Sequence, residues 1–155
     1  MRYAKRIQLF SVDKTGNVWV ADTFNRRVLR FPSNSKKADL VLGQDDFLSS
    51  DLEGCLDNAP LNRMCTPTLA RVYPETGELY VIDERPPGFK ARILVFKPPF
   101  KNGMSAHKVI IPKQNGEIEG WEKRSDYLRE LIKKDLVAKG LLGYNDSKEI
   151  KEVTA

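Results

Sequence analysis

Long hydrophobic runs are missing from this 155-residue chain, and histidine and cysteine are scarce. No apolar stretch approaches the roughly 20 residues that a membrane-spanning helix requires. Residues 1–6 lead into alternating rather than continuous apolar sequence, so we expect neither a signal peptide nor a membrane anchor. With one histidine and two cysteines, the chain does not offer the four Cys or His ligands of a structural zinc site. We therefore predict no metal and no cofactor.

A strong charge of one sign is also missing. The chain carries 26 basic and 21 acidic residues, a net charge of +5. Residues 112–155 contain equal numbers of both signs, so the basic excess belongs to residues 1–111. Such a mild excess is weak evidence for a polyanionic partner, and we expect no nucleic-acid binding from charge alone.

An internal repeat organises the first 111 residues. Four segments recur in the same order, with one inserted residue in the second copy. The matching stretches are residues 12–22 with 72–83, which hold two of the four segments, 27–31 with 92–96, and 38–42 with 106–110.

The repeated segments have the composition of β-strands. They are short and rich in β-branched and aromatic residues, and Gly, Asn, Pro and Ser lie between them. Gly16 and Gly77 stand where a tight hairpin needs a positive φ, so the first strand of each copy should turn back into the second. The predicted strands are residues 7–12, 17–21, 27–31 and 39–43, then 68–73, 78–82, 91–96 and 107–111.

Two quartets of antiparallel strands, about 60 residues apart, favour blades of a β-propeller over a helical solenoid. A β-sandwich is the competing fold. We predict a mainly β protein in which residues 1–111 form two four-stranded antiparallel blades. The blades span about 7–44 and 68–111, and a loop over 45–67 links them.

One stretch of the first copy resembles a known family. Residues 12–31 contain the pattern Val-Asp-x-x-Gly-Asn-Val-x-Val-Ala-Asp-x-x-Asn-x-Arg-Val-Leu-x-Phe, which is similar to the NHL repeat. Residues 38–47 resemble the blade ending of bacterial extracytoplasmic NHL proteins, except that Asp45 stands where proline is common. The second copy departs further, since residues 84–91 replace a short turn and Tyr73 replaces Asp13.

The resemblance has three implications. NHL propellers usually have six blades, and propellers need about four to eight to close, so two blades form a truncated or open propeller. Its edges would pair with further blades from another chain or with a second copy, or be covered by the C-terminal segment. In that bacterial subset the loop after the first blade often carries two cysteines. Cys55 and Cys65 are then a disulfide in a periplasmic or secreted protein, with two free cytoplasmic thiols as the alternative.

Residues 112–155 are predicted to form a helical extension and tail. Apolar residues at three-, four- and seven-residue spacings predict a helix over 122–139, and Gly140 ends it. Glu130 with Lys134 and Asp135 with Lys139 support it as i,i+4 pairs. Its apolar stripe would pack on the chain's own blade edge or dock on another subunit. Residues 145–155 are expected to be a frayed tail.

Two aspartate–arginine pairs recur at equivalent positions. Asp22 and Asp83 end the second strand of each copy, and Arg27 and Arg92 open the third. We expect each aspartate to accept backbone N–H bonds in the turn and to pair with its arginine. The alternative is that these pairs bind an anionic ligand.

The remaining site candidates are basic. Arg26, Arg27, Arg30, Lys36 and Lys37 form the densest basic cluster, which would either meet phosphates on one rim or be a solvated face. His107 has no partner evident in the sequence and is expected to be structural. The residues predicted to bind a ligand are Arg26, Arg27, Arg30, Arg92 and His107, with no catalytic residue assigned.

These features favour a noncatalytic binding or scaffold module that recognises a protein or carbohydrate partner through loops 44–67 and 84–91. One alternative, implied by the resemblance, is part of a metal-dependent propeller lyase or hydrolase, against which the single histidine argues. The other is RNA binding through a basic rim, which predicts affinity that falls steeply with salt.

Overall fold

The computed structural model describes residues 10–111, together with Ile132 and Lys134. The chain divides into two compact units, Met1–Ile111 and Pro112–Ala155. Ile132 and Lys134 are helical, but the rest of the predicted helix 122–139 and the predicted tail 145–155 lie outside the described residues. Residues 7–9 of the first predicted strand also lie outside them.

Within residues 10–111, eight strands form two antiparallel sheets of four. The first sheet contains β1 (Phe10–Val12), β2 (Val18–Asp22), β3 (Arg27–Phe31) and β4 (Leu40–Leu42). The second sheet contains β5 (Thr66–Val72), β6 (Leu79–Glu84), β7 (Arg92–Phe96) and β8 (Lys108–Ile110). In both sheets each strand pairs with its neighbours in sequence. The prediction of a mainly β protein with two antiparallel quartets is confirmed.

The hairpins close as their glycines predict. Gly16 has φ 83° and Gly77 has φ 70°, a region that residues with a side chain rarely adopt. In the first hairpin the Asp13 carboxylate accepts hydrogen bonds from the Asn17 backbone N–H at 3.0 Å and from the Trp19 indole N–H at 2.9 Å. Hydrogen bonds from Thr15, Trp19 and Asn17 outweigh partial burial and lower the pKa of Asp13 to about 2.

The second copy begins its first strand earlier than predicted. β5 starts at Thr66, which pairs with Glu84, so both β5 and β6 extend two residues further toward the connecting loops than the sequence indicated. A register shift between Pro67 and Leu69 accommodates this pairing. Proline has no N–H for the ladder and is tolerated at such a bulge, which explains why composition placed the strand start after it.

The main core lies between the two sheets. The inner face of the first sheet, defined here as Trp19, Ala21, Val28, Leu40 and Leu42, is buried. Four of these residues share a core cluster with Ala70, Leu79, Val81, Leu94 and Phe96 of the second sheet. The Ser11 hydroxyl adds a 2.6 Å hydrogen bond to the carbonyl of Ala70. The first strand of the second sheet, β5, is the strand that lies against the first sheet, where it contacts β1 and β2.

The two sheets meet through faces that are not equivalent in the repeat. Trp19 aligns in sequence with Tyr80, yet Trp19 belongs to the shared core cluster and Tyr80 points to the opposite side of its sheet. Phe96 belongs to the same cluster, but its equivalent Phe31 lies on the side of the first sheet away from Trp19. The sheets therefore pack head to tail, as in a heterologous assembly, and not about a two-fold axis.

Three connecting segments gather at one end of the sheets. The turn over 23–26 follows β2, the long segment over 43–65 joins β4 to β5, and the segment over 85–91 follows β6. Because Asp22 pairs with Arg27, Val28 with Leu42, and Thr66 with Glu84, all three leave the sheets from the same end. We call residues 23–26, 43–65 and 85–91 the loop end.

Candidate binding surface at the loop end

A disulfide holds the long segment of the loop end. Cys55 and Cys65 are bonded, with their Cα atoms 4.6 Å apart, as the sequence resemblance implied. Gly54 presses against the chain beside this bond, since a Cβ at that position would lie 2.2 Å from the carbonyl of Met64. Met64 itself is fully buried in the shared core cluster. The loop is thus tied to the core at its C-terminal half.

Arg63 organises the acidic part of the same segment. Arg63 is 7% exposed, and its guanidinium donates to Asp45 at 2.6 and 3.0 Å and to Asp51 at 2.9 Å. Glu53 lies 3.5 Å away as a further ion-pair partner. The hydrogen bonds to Asp45 raise the pKa of Arg63. One buried cation therefore fixes three carboxylates of an otherwise polar loop.

Hydrogen bonds tie the long segment to the first sheet. Arg26 donates to the carbonyl of Ser50 at 3.2 Å, and Arg27 donates to the carbonyl of Phe47. Gln44 is fully buried and exchanges two bonds with the backbone of Asp51, at 3.0 and 3.3 Å. The middle of the loop is therefore held against the 23–26 turn.

The 85–91 segment joins the same surface. Arg85 donates to the carbonyl of Leu56, and its guanidinium lies 5.1 Å from the centre of the Phe89 ring. At the base, Arg92 donates to the carbonyls of Arg63 at 2.6 Å and Ala59 at 3.3 Å. Loops from both sheets thus form one connected surface.

This surface exposes apolar side chains. Leu48 is 95% exposed and Phe24 is 93% exposed. The exposed apolar residues of the loop end are Phe24, Phe47, Leu48, Leu52, Leu56 and Phe89. Contiguous exposed apolar patches are typical of interaction sites, whereas single exposed apolar residues are common on any protein surface.

The two predicted aspartate–arginine pairs are present, but they differ. Asp22 and Arg27 lie 2.8 Å apart and remain partly exposed. Asp83 and Arg92 lie 3.0 Å apart and are almost completely buried. Burial raises the pKa of Asp83, while the charge of Arg92 and hydrogen bonds oppose that rise.

The backbone partners of Asp83 are not those expected. Its carboxylate accepts N–H bonds from Cys65 at 2.8 Å and Thr66 at 2.9 Å, on the segment that enters β5, and not in the turn that follows β6. Asp22 instead accepts a 2.9 Å bond from the Asn25 side chain. Asp83 therefore anchors the disulfide loop to the second sheet, because Cys65 is itself one end of the disulfide.

The residues predicted to bind a ligand do not converge on one site. Arg26 and Arg27 lie at the loop end and Arg92 is buried there, whereas Arg30 pairs with Asp39 at 2.8 Å on the strand. His107 lies at the opposite end of the sheets, one residue before Lys108, which pairs with Val95. Its side chain contacts Glu78 at 3.2 Å. Lys36 and Lys37 are exposed in the connection between β3 and β4, also away from the loop end.

Sequence reasoning missed Arg63 and Gln44, which do most to order the long segment. A signal was available for Arg63, since it is the only arginine in the acidic segment over 43–65. Gln44 gave no such signal, because its burial depends on how the loop folds back. The exposed leucines were overlooked because isolated apolar residues in a loop carry no periodicity.

A scan against known protein families found no match for this chain. Among the described residues, no group of three or more His, Cys, Asp or Glu side chains is arranged to hold a metal ion. No helix within that part of the chain has the length and apolar character needed to cross a bilayer.

Proposed function

We propose that this chain is a noncatalytic binding module built on propeller-type blades, and that its loop end binds another protein. The observation that carries the proposal is the group of exposed apolar side chains on loops that are fixed by a disulfide and by buried arginines. Ordered loops lose little conformational entropy on binding, so their exposed apolar area contributes more fully to affinity.

The propeller assignment is supported by three features. The repeat recurs in sequence, each sheet has four strands in consecutive order, and unlike faces of the two units meet. A head-to-tail relation between repeated units is the one that generates a ring when the rotation closes. The NHL-like residues of the first copy, among them Asp13, Gly16 and Asp22, support that family as the source of the repeat.

A protein partner is favoured over a carbohydrate by the chemistry of the surface. Leu48, Leu52 and Leu56 are aliphatic and exposed, and sugars present many hydroxyl groups that such side chains cannot satisfy. The arginines beside them are engaged with backbone carbonyls or carboxylates of the chain itself. The surface therefore offers a partner apolar contact.

The test compares two matched surface variants in the full-length chain. Leu48→Glu with Leu56→Glu changes the loop end, and Lys14→Glu with Lys36→Glu changes exposed positions at the opposite end. Immobilised protein is titrated with an extract of the source cells, and the bound fraction is followed to saturation. The proposal predicts saturable binding that the loop-end variant loses at least about tenfold, about 1.4 kcal/mol, and the control retains. Equal binding by both variants would contradict it.

A further inference from the structure

Exposed charged side chains are divided unevenly between the two ends of the sheets. The connections away from the loop end, residues 13–17, 32–39, 73–78 and 97–107, are here called the hairpin end. Among Lys, Arg, Asp and Glu, its exposed residues are five lysines and two acids: Lys14, Lys36, Lys37, Lys97, Lys101, Asp39 and Glu75. Those of the loop end are four acids and one lysine: Asp45, Asp46, Glu53, Asp57 and Lys90. The loop end is therefore acidic at its surface, although the chain has a net charge of +5.

The acidic residues of the loop end lie beside its exposed leucines. Residues 45–57 contain five Asp or Glu residues and no Lys or Arg. The Asp46 carboxylate accepts the backbone N–H of Leu48 at 2.8 Å. Leu52 and Leu56 each adjoin an acidic residue in the sequence. Apolar and negatively charged groups are therefore interleaved along this part of the loop.

The carboxylates are more exposed than the cation that they contact. Arg63 forms ion pairs with Asp45 and Glu53, yet its side chain is 8% exposed, whereas theirs are 64% and 58% exposed. Asp46 is ionised at neutral pH, because hydrogen bonds, first among them that from the Leu48 backbone, lower its pKa. A partner that approaches from solvent meets these carboxylates before it meets the guanidinium of Arg63.

Two further arginines of the loop end do not reverse this surface charge. Arg26 and Arg85 are half-buried, and they donate to the backbone carbonyls of Ser50 and Leu56. Their guanidinium groups hold the loop in place, while the exposed carboxylates of 45–57 remain open to a partner.

We infer that the protein bound at the loop end presents a basic segment in which lysine or arginine side chains flank apolar ones. Its apolar side chains pack on Leu48, Leu52 and Leu56, and its cations pair with the carboxylates beside those leucines. Complementary charges across an interface raise the association rate and disfavour partners of the wrong sign. The inference rests on the proposed function, because it specifies the partner of the same surface.

The hairpin end gives this charge pattern a direction. Its exposed lysines repel a basic segment, so the field of the protein steers that segment toward the loop end. A partner selected by the net charge of the chain would instead be acidic and would bind at the hairpin end. The local charge and the net charge thus predict partners of opposite sign.

Two synthetic peptides test the inference against the full-length protein. They carry leucine at the same positions and differ only at the remaining positions, where one has lysine and the other has glutamate. Binding of each is followed by fluorescence anisotropy at low ionic strength. We expect the lysine peptide to bind at least about tenfold more tightly than the glutamate peptide, and its affinity to fall as salt is added. Equal binding, or tighter binding of the glutamate peptide, would overturn the inference.

Matched variants locate the binding. Glu53→Gln with Asp57→Asn removes two charges beside the leucines and should weaken binding of the lysine peptide at least about fivefold, whereas Glu75→Gln at the hairpin end should leave it unchanged. Leu48→Ser with Leu56→Ser should also weaken it, because apolar contact is lost. If the charge variant binds as tightly as the unmodified chain and the leucine variant does not, the inference is wrong and the proposed function stands. Unchanged binding by the leucine variant would contradict the proposed function itself.

Discussion

The two sheets arise from the same repeat, yet they are buried to different extents. Every residue of β6 and β7 is buried, whereas in β2 and β3 burial is confined to Trp19, Ala21 and Val28. Burial alternates along β2 although both faces of the first sheet are apolar. Burial in this protein is therefore decided by what lies against each face and not by the composition of the strand, and equivalent residues provide matched comparisons.

The largest expected difference is between the equivalent phenylalanines of β7 and β3. Phe96 is completely buried in the shared core and Phe31 is not. Phe96→Ala should lower the free energy of unfolding by about 3–5 kcal/mol, because the substitution leaves a cavity. Phe31→Ala should cost less than half as much. Urea denaturation of both variants measures the difference, and equal losses would show that Phe31 is packed as tightly as Phe96.

The second comparison is between the two arginine–aspartate pairs. Arg92→Ala leaves the buried Asp83 carboxylate without its cation and should cost about 3 kcal/mol at neutral pH. Arg27→Ala breaks the more exposed pair and should cost at most about 1 kcal/mol. Chemical denaturation of the two single variants decides the point, and a similar loss in both would contradict the role assigned to burial.

The loss of stability caused by Arg92→Ala should depend on pH. Burial raises the pKa of Asp83, and removal of Arg92 should raise it further. A carboxyl whose folded-state pKa exceeds its unfolded value binds more protons when folded, so stability is greatest below about pH 4 and falls as pH rises through the folded-state pKa. The loss caused by Arg92→Ala should therefore be smaller at pH 5 than at pH 8. A loss that grew on acidification would contradict this account.

The disulfide distinguishes the connection that follows the first sheet from the 85–91 loop of the second. Cys55→Ser with Cys65→Ser should lower the free energy of unfolding by about 2–3 kcal/mol, because the unfolded chain regains the entropy of a short closed loop. Amide hydrogen–deuterium exchange over 43–65 should also be faster in this variant, while β6 and β7 should remain protected. Unchanged exchange in the loop would show that Arg63 and Gln44 hold it unaided.

The smallest effect concerns the hairpins. Asp13 caps the first hairpin, while Tyr73 occupies the equivalent position in the second. The pKa of Asp13 is lowered to about 2, so its contribution is present above about pH 4 and is lost as pH falls toward 2. Asp13→Asn should cost about 0.5–1 kcal/mol at pH 7, since solvent screens this site. Thermal melts should show the difference from the unmodified chain vanishing near pH 2.

The strand order could be predicted because local signals agree at each step. Gly16 and Gly77 mark the hairpins, and alternating apolar residues mark the strands, so all eight were located to within two residues wherever the structure describes them. The disulfide was predicted from family resemblance and not from spacing. These features depend on short stretches of sequence.

The features that could not be predicted depend on contacts between distant segments. Arg63 and Gln44 are buried because the long loop folds onto the 23–26 turn, and nothing near them in sequence indicates that. The basic cluster at 26–37 is compact in sequence but divided in space, because β3 carries Arg30 away from Arg26. The alignment alone also does not reveal which face of each repeat meets the other.

The head-to-tail packing of the two sheets is the central claim, and nuclear Overhauser effects from the Trp19 indole test it most directly. The account predicts cross-peaks from Trp19 to methyl groups of the face that carries Leu79, Val81 and Leu94, and none to Ile82 or Ile93. Cross-peaks from Trp19 to Ile82 or Ile93 would mean that like faces meet. That result would contradict the account.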